Sequence, residues 1–162
     1  MLLSSFQAFD FIKRHGGISS DSSYPYAGRQ GRCHPSPVAA TLDKYFTIRH
    51  GNERALKHAV ACVGPVAAGI DSSLPSFQHY TGEVYDDPEC SSTLLDHAVL
   101  IVGHGSEKGN DHWLVKNSWR TSWGSNGYMK IARNGRNQCG IASSATFPTV
   151  LSTPIFETVP AP

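Results

Sequence analysis

Two apolar runs constrain this chain more than anything else in it: Leu95-Asp96-His97-Ala98-Val99-Leu100-Ile101-Val102-Gly103 and Trp113-Leu114-Val115-Lys116-Asn117-Ser118-Trp119. Short apolar runs rich in β-branched and aromatic residues read as strands, and the stretch between them is rich in glycine and asparagine, the residues of chain reversals. A return through Gly103-His104-Gly105 and Gly109-Asn110 would lay the two runs side by side. His97, at the head of the first, would then meet Asn117, at the tail of the second. An imidazole serves as a base only when its tautomer and orientation are fixed, normally by an acceptor at the second ring nitrogen. The Asn117 side-chain oxygen is such an acceptor, and Trp119 can cover the pair. A lone strand histidine is more simply a structural residue bonded to backbone. In this setting His97 and Asn117 read instead as the base half of a Cys-His-Asn centre.

The rest of the chain predicts α+β. Residues 5–15 place Phe6, Phe9 and Ile12 near a 3.6-residue period and end at Gly16-Gly17, which predicts an amphipathic helix with a glycine stop. A loop rich in turn residues follows, including Tyr24-Pro25-Tyr26-Ala27-Gly28. Asn52 is placed to cap a second helix through Glu53, Leu56, Ala59, Val60 and Val63, stopped by Gly64-Pro65. Strands are expected at residues 66–70, 97–103, 112–116 and 128–132, giving a β-rich C-terminal half. Residues 151–162 contain three prolines and little periodicity and read as a loose tail.

Fourteen Lys and Arg against 13 Asp and Glu, without blocks of one sign, give a net charge of +1, so no nucleic-acid partner is expected. No apolar run approaches the ~20 residues of a membrane span, and Met1-Leu2-Leu3 leads straight into polar residues, so no export signal is visible. Cys33, Cys62, Cys90 and Cys139 lack the paired spacing of a zinc site. Cys62 reads as a buried small hydrophobe on the apolar side of the second helix. Cys90 and Cys139, in polar and glycine-flanked loops, suit a bridge in an oxidising compartment. His97, His104 and His112 with Asp96 show no ligand spacing that would favour a metal.

Further motifs accompany the His–Asn pair in a fixed order: Gly51-Asn52-Glu53, Gly64-Pro65-Val66, Ser76-Phe77-Gln78, Val84-Tyr85, Ser122-Trp123-Gly124, Gly127-Tyr128 and Cys139-Gly140-Ile141-Ala142-Ser143. With Leu95 to Leu100 and Trp113 to Trp119, they resemble the papain family of cysteine peptidases, most closely its cathepsin L, S and K branch, over residues 5–150. The resemblance implies a papain-like fold in truncated form. Residues 1–37 would be a remnant of the helical domain, residues 38–150 the β-barrel-like domain carrying His97 and Asn117, and residues 151–162 a flexible tail. By the same resemblance Trp119 shields the His–Asn hydrogen bond and Trp123 stands near the leaving-group side. Gly69, Leu95, Ala98 and Ser144 would line the pocket for the substrate's penultimate residue, and Cys90 and Cys139 would pair. Asp96 matches a carboxylate that precedes the base in several cathepsins, where a modulating role competes with that of a solvent-facing charge. The family implies peptide or protein substrates, cathepsin inhibitors as partners, a lysosomal or extracellular location, and neither cofactor nor metal.

Departures from the family pattern set the functional expectation. Its nucleophilic cysteine precedes the histidine and asparagine by about 130–150 residues, which counted back from His97 falls before Met1. Cys33 resembles a half-cystine that faces away from the cleft. Arg120 replaces a glycine and is expected to disturb Trp119, while His104 replaces a tyrosine as a surface change. The chain is therefore expected to be the C-terminal part of a cysteine endopeptidase, inactive alone. The alternative is a non-catalytic module that binds peptides or proteins.

Overall fold

A computed structural model describes residues 5–150, so the tail expected over 151–162 lies outside the described residues. The first helix is α1, Ser5–Arg14, and Gly16 and Gly17, both at positive φ, end it with the Gly17 N–H donating to the Ile12 carbonyl. No α1 residue is buried: Phe9 and Ile12 are half-covered, and Phe6 and Phe11 are exposed. A two-stranded ribbon of β1 (Ile18–Ser19) and β2 (Val38–Ala40) follows, then β3 (Lys44–Thr47), whose Tyr45 receives the rings of Phe6 and Phe9.

Helix α2, Glu53–Cys62, starts as the sequence predicts, with Asn52 Oδ1 accepting from the Ala55 N–H at 2.9 Å. Leu56 and Ala59 are its buried residues. The reading of Cys62 as a buried hydrophobe fails, because that thiol is free and exposed. Cys62 falls off the inward stripe set by Leu56, Ala59 and Val60, at the open end of the helix.

The remaining elements are β4 (Val66–Ile70), a short α3 (Pro75–Gln78), β5 (Val84–Tyr85), β6 (His97–Glu107), β7 (Asn110–Lys116), β8 (Tyr128–Ala132) and β9 (Ser144–Thr149). One seven-stranded sheet runs in the order β3-β9-β4-β6-β7-β8-β5, antiparallel except between β5 and β8. Period-two alternation buries Val66, Ala68 and Ile70 of β4, Trp113 and Val115 of β7, and Met129 and Ile131 of β8 on the face where Leu56 and Phe77 also lie buried. Each such large side chain contributes roughly 1.5–3 kcal/mol, so this face carries the fold.

The reversal between β6 and β7 is tighter than the sequence suggested. Strand β6 continues through Gly103-His104-Gly105 to Glu107, and the turn itself uses Lys108 and Gly109, both at positive φ. Gly105 serves close approach rather than turning: a Cβ there would stand 3.0 Å from the imidazole of its cross-strand partner His112, which would have to give by a few tenths of an ångström. Nor is His104 a surface residue. It is half-buried, edge-on to Trp113 at 6.2 Å, and burial, then the Arg133 and Lys57 charges, lower its pKa. Cys90 and Cys139 form the disulfide, their Cα atoms 4.9 Å apart.

Candidate active site

His97 opens β6 opposite Ile70, the last residue of β4, and Asn117 immediately follows β7. Because β6 and β7 pair antiparallel, Leu100 opposite Lys116, the two residues share one end of the sheet. His97 Nε2 stands 2.8 Å from Asn117 Oδ1, and the Ser118 backbone N–H reaches the same oxygen at 2.7 Å. A backbone N–H can only donate, so the amide atom facing it is the oxygen, and an amide oxygen can only accept. His97 therefore carries a hydrogen on Nε2. In the neutral ring the lone pair then sits on Nδ1, which bonds to no other described residue. Asn117 is 8% exposed, and its Nδ2 has no partner among the described residues.

An aromatic wall stands on the β7 side of His97. Trp119 lies 4.9 Å from the imidazole, centroid to centroid, and meets Trp123 edge-on at 5.3 Å. Fully buried Phe77 supports both indoles, at 5.7 and 5.6 Å, and Trp123 Nε1 donates to the Gln78 carbonyl at 2.9 Å. Phe77 belongs to a sequence motif already noted, but only the tertiary contacts give it this supporting place.

The β4 side of His97 holds the four residues assigned to a pocket. Gly69 pairs with Ala98 across one edge of its strand and with Ser144 across the other, and a Cβ on it would lie 3.3 Å from Leu95 Cδ1 and 3.5 Å from Ser144 Cβ. A side chain there would press on Leu95, which would have to give by a few tenths of an ångström. Asp96, between Leu95 and His97, accepts from the Ser72 N–H at 2.8 Å and the Ser72 hydroxyl at 3.0 Å, while its own N–H donates to the Ile70 carbonyl. It thus ties the start of β6 to the end of β4. Nearby Asp71 is drawn two ways: burial raises its pKa, but hydrogen bonds from the Ser73 hydroxyl and N–H and the Ser91 N–H prevail, leaving it below the usual value. A lowered folded-state pKa means this clamp contributes fully above the unfolded value and is lost as pH falls through the folded one.

Arg120 has φ of 71°, in the left-handed region, which accounts for a glycine in the family pattern. Trp119 nonetheless lies by His97, 4.9 Å between ring centroids, and Arg120 is exposed. The conformation costs a residue with a Cβ roughly 1–2 kcal/mol, partly offset by glycine's greater unfolded-state entropy. Arg120→Gly should therefore stabilise the chain by about 0.5–1 kcal/mol, read from urea midpoints. A lower midpoint would mean that the arginine side chain contributes more than its backbone costs.

Cys90 and Cys139 are bonded to each other, Cys33 and Cys62 are exposed, and no described thiol hydrogen-bonds His97. Among the described residues no group of three or more His, Cys, Asp or Glu is placed to hold a metal ion, and no helix is long and apolar enough to cross a membrane.

Residues 4–149 match the papain family cysteine protease family. The chain is 53% identical over 146 residues to a cathepsin L-like peptidase of Aedes aegypti, an alignment covering 88% of this chain and 43% of that protein. It is 51% identical over 146 residues to digestive cysteine proteinase 1 of Homarus americanus, covering 89% and 45%. The solved digestive procathepsin L2 proteinase of Tenebrio molitor larval midgut superposes with a TM-score of 0.84 at 48% identity, covering 89% of this chain and 46% of that one. The chain spans less than half the length of these relatives.

Proposed function

Since the chain belongs to the papain family of cysteine proteases, we propose that His97 and Asn117 are the base half of a Cys-His-Asn centre that hydrolyses peptide bonds, and that the thiol comes from outside these 162 residues. The observation that carries this is the locked ring: Asn117 Oδ1, itself fixed by the Ser118 N–H, holds the Nε2 proton and leaves Nδ1 bare.

The chemistry follows from that nitrogen. A thiol that gives its proton to Nδ1 becomes the attacking thiolate, forming a C–S bond while the carbonyl electrons move to oxygen. When the carbonyl re-forms, the C–N bond breaks and the amine leaves with the Nδ1 proton. Water, deprotonated by the same nitrogen, then attacks the thioester and returns the thiolate. Trp119 shields the His97–Asn117 bond throughout. Gly69, Leu95, Ala98 and Ser144 receive an apolar side chain on the acyl side. Substrates are peptides or proteins, cathepsin-directed inhibitors are partners, and the disulfide suits a lysosomal or extracellular setting.

An epoxide probe for active-site thiols tests this. The 162-residue chain alone should neither label nor turn over a fluorogenic dipeptide with an apolar penultimate residue. The chain joined behind the N-terminal segment of the Aedes aegypti relative should do both. Labelling of Cys33 or Cys62 in the chain alone, lost in His97→Ala, would overturn the division of labour. An unlabelled joined protein would favour a module that binds peptides without cutting them.

A further inference from the structure

The flanks of His97 differ in chemistry. In the sheet order β9-β4-β6-β7, Gly69 and Ser144 lie on one side of β6, while Asn117, Trp119 and Arg120 follow the strand on its other side. With an acyl-side residue in the Gly69 depression, the leaving half of a peptide passes over the Trp119 side. That flank carries Arg120, exposed, directly after the indole that covers His97.

Two independent features mark this arginine. It holds a φ of 71°, which disfavours any residue with a Cβ and is uncommon outside glycine, asparagine and aspartate. Strain of that kind persists where surrounding structure enforces it, often at binding sites. Here the Arg120 carbonyl fixes the turn by accepting from the Trp123 N–H, and it packs within 3.2 Å of where a Gly127 Cβ would be. Its charge is also unanswered. Among the described residues the ion pairs join Arg14 to Asp10, Lys130 to Glu107 and Arg133 to Asp111, and none involves Arg120. No Asp or Glu occurs in sequence between Asp111 and Glu157, and the Asp96 carboxylate is engaged by Ser72 on the β4 side.

We propose that Arg120 is a specificity residue that recognises a carboxylate on the leaving half of the substrate. This rests on the peptidase reading for its catalytic consequence. A guanidinium is always charged and offers forked donors matched to a carboxylate. The carboxylate comes either from an acidic side chain just beyond the scissile bond or from a free C-terminus there.

The test uses three peptides sharing one acyl half, whose first leaving residue is Glu amide, Gln amide or Gln with a free C-terminal carboxylate. In the joined protein, with sites counted by epoxide titration, kcat/KM for at least one carboxylate peptide should exceed that for Gln amide by about fivefold, the upper range for an exposed ion pair. Which peptide gains identifies the source. The ratio should fall to about one in Arg120→Gln and survive in part in Arg120→Lys. A ratio below about two for both carboxylate peptides, or one that persists in Arg120→Gln, overturns the proposal. Failure of the epoxide to label the joined protein would be a failure of the peptidase reading instead. The 162-residue chain is then titrated with Ala-Glu amide, Ala-Gln amide and Ala-Gln with a free C-terminus, reading tryptophan fluorescence. Carboxylate-dependent quenching lost in Arg120→Gln supports the proposal, and equal responses overturn it.

Discussion

His97→Ala in the joined protein should lower kcat/KM by about 10³-fold or more, the range lost when a positioned acid–base group is removed from such a centre. Asn117→Ala should cost less, because the imidazole remains while the acceptor that selects its Nε2–H tautomer is gone. A merely structural histidine would show as a fallen melting temperature, so activity per mole of folded protein and thermal stability are measured together. Activity per mole of folded protein that survives His97→Ala would remove His97 from the mechanism.

The second large effect is on stability. The Cys90–Cys139 bond spans a sequence separation of 49, and closing a loop of that length restricts the unfolded chain by about 4 kcal/mol. A domain's whole stability is only about 5–15 kcal/mol, so Cys90→Ser with Cys139→Ser should bring the chain close to its unfolding limit in mild urea. The consequence extends to Leu95, one wall of the proposed pocket. Gly140, next to Cys139, is packed so closely that a Cβ on it would lie 2.5 Å from Leu95 Cδ2 and 2.9 Å from the Ser92 carbonyl. Loosening the bridge therefore frees the Leu95 wall as well. A loss below about 1 kcal/mol by urea unfolding, with unchanged cooperativity, would show that the Asp71 hydrogen bond to Ser91 and its neighbours hold this loop unaided.

What could be read in advance and what could not divide along a physical line. Caps, stops and alternation act within a few residues. The Asn52 cap, the Gly16-Gly17 stop, the strands Val66–Ile70 and Tyr128–Ala132 and the placement of His97 and Asn117 at strand ends were therefore legible in the chain itself. Periodicity says that a face is apolar, not what covers it. Cys62 appeared inward until the helix was docked, and His104 appeared outward until Trp113 stood beside it. Pattern alone also mistook Gly103 and Gly105 for the turn, because glycine serves close approach as readily as reversal, and only the register of β6 on β7 tells which.

The site is governed by the same distinction. Its residue types, a histidine, an asparagine and two tryptophans, follow from the sequence. The tautomer of His97 does not: it depends on the Ser118 N–H turning toward the same oxygen after β7 ends. The pocket proposed around Gly69 rests on its being paired on one edge with Ala98 and on the other with Ser144, contacts that join distant parts of the chain. Placing Arg120 on the leaving flank likewise required the order of strands around β6. Sequence by itself determined the helices α1 and α2, the strands β4, β6, β7 and β8 and the chemical groups they carry, because those are set by local sterics and hydrogen bonding, whereas β1, β2, β3, α3, β5 and β9 were not read from it. Tertiary structure alone decided which groups face one another, because non-local strand pairing fixes relative position only once the whole sheet has assembled.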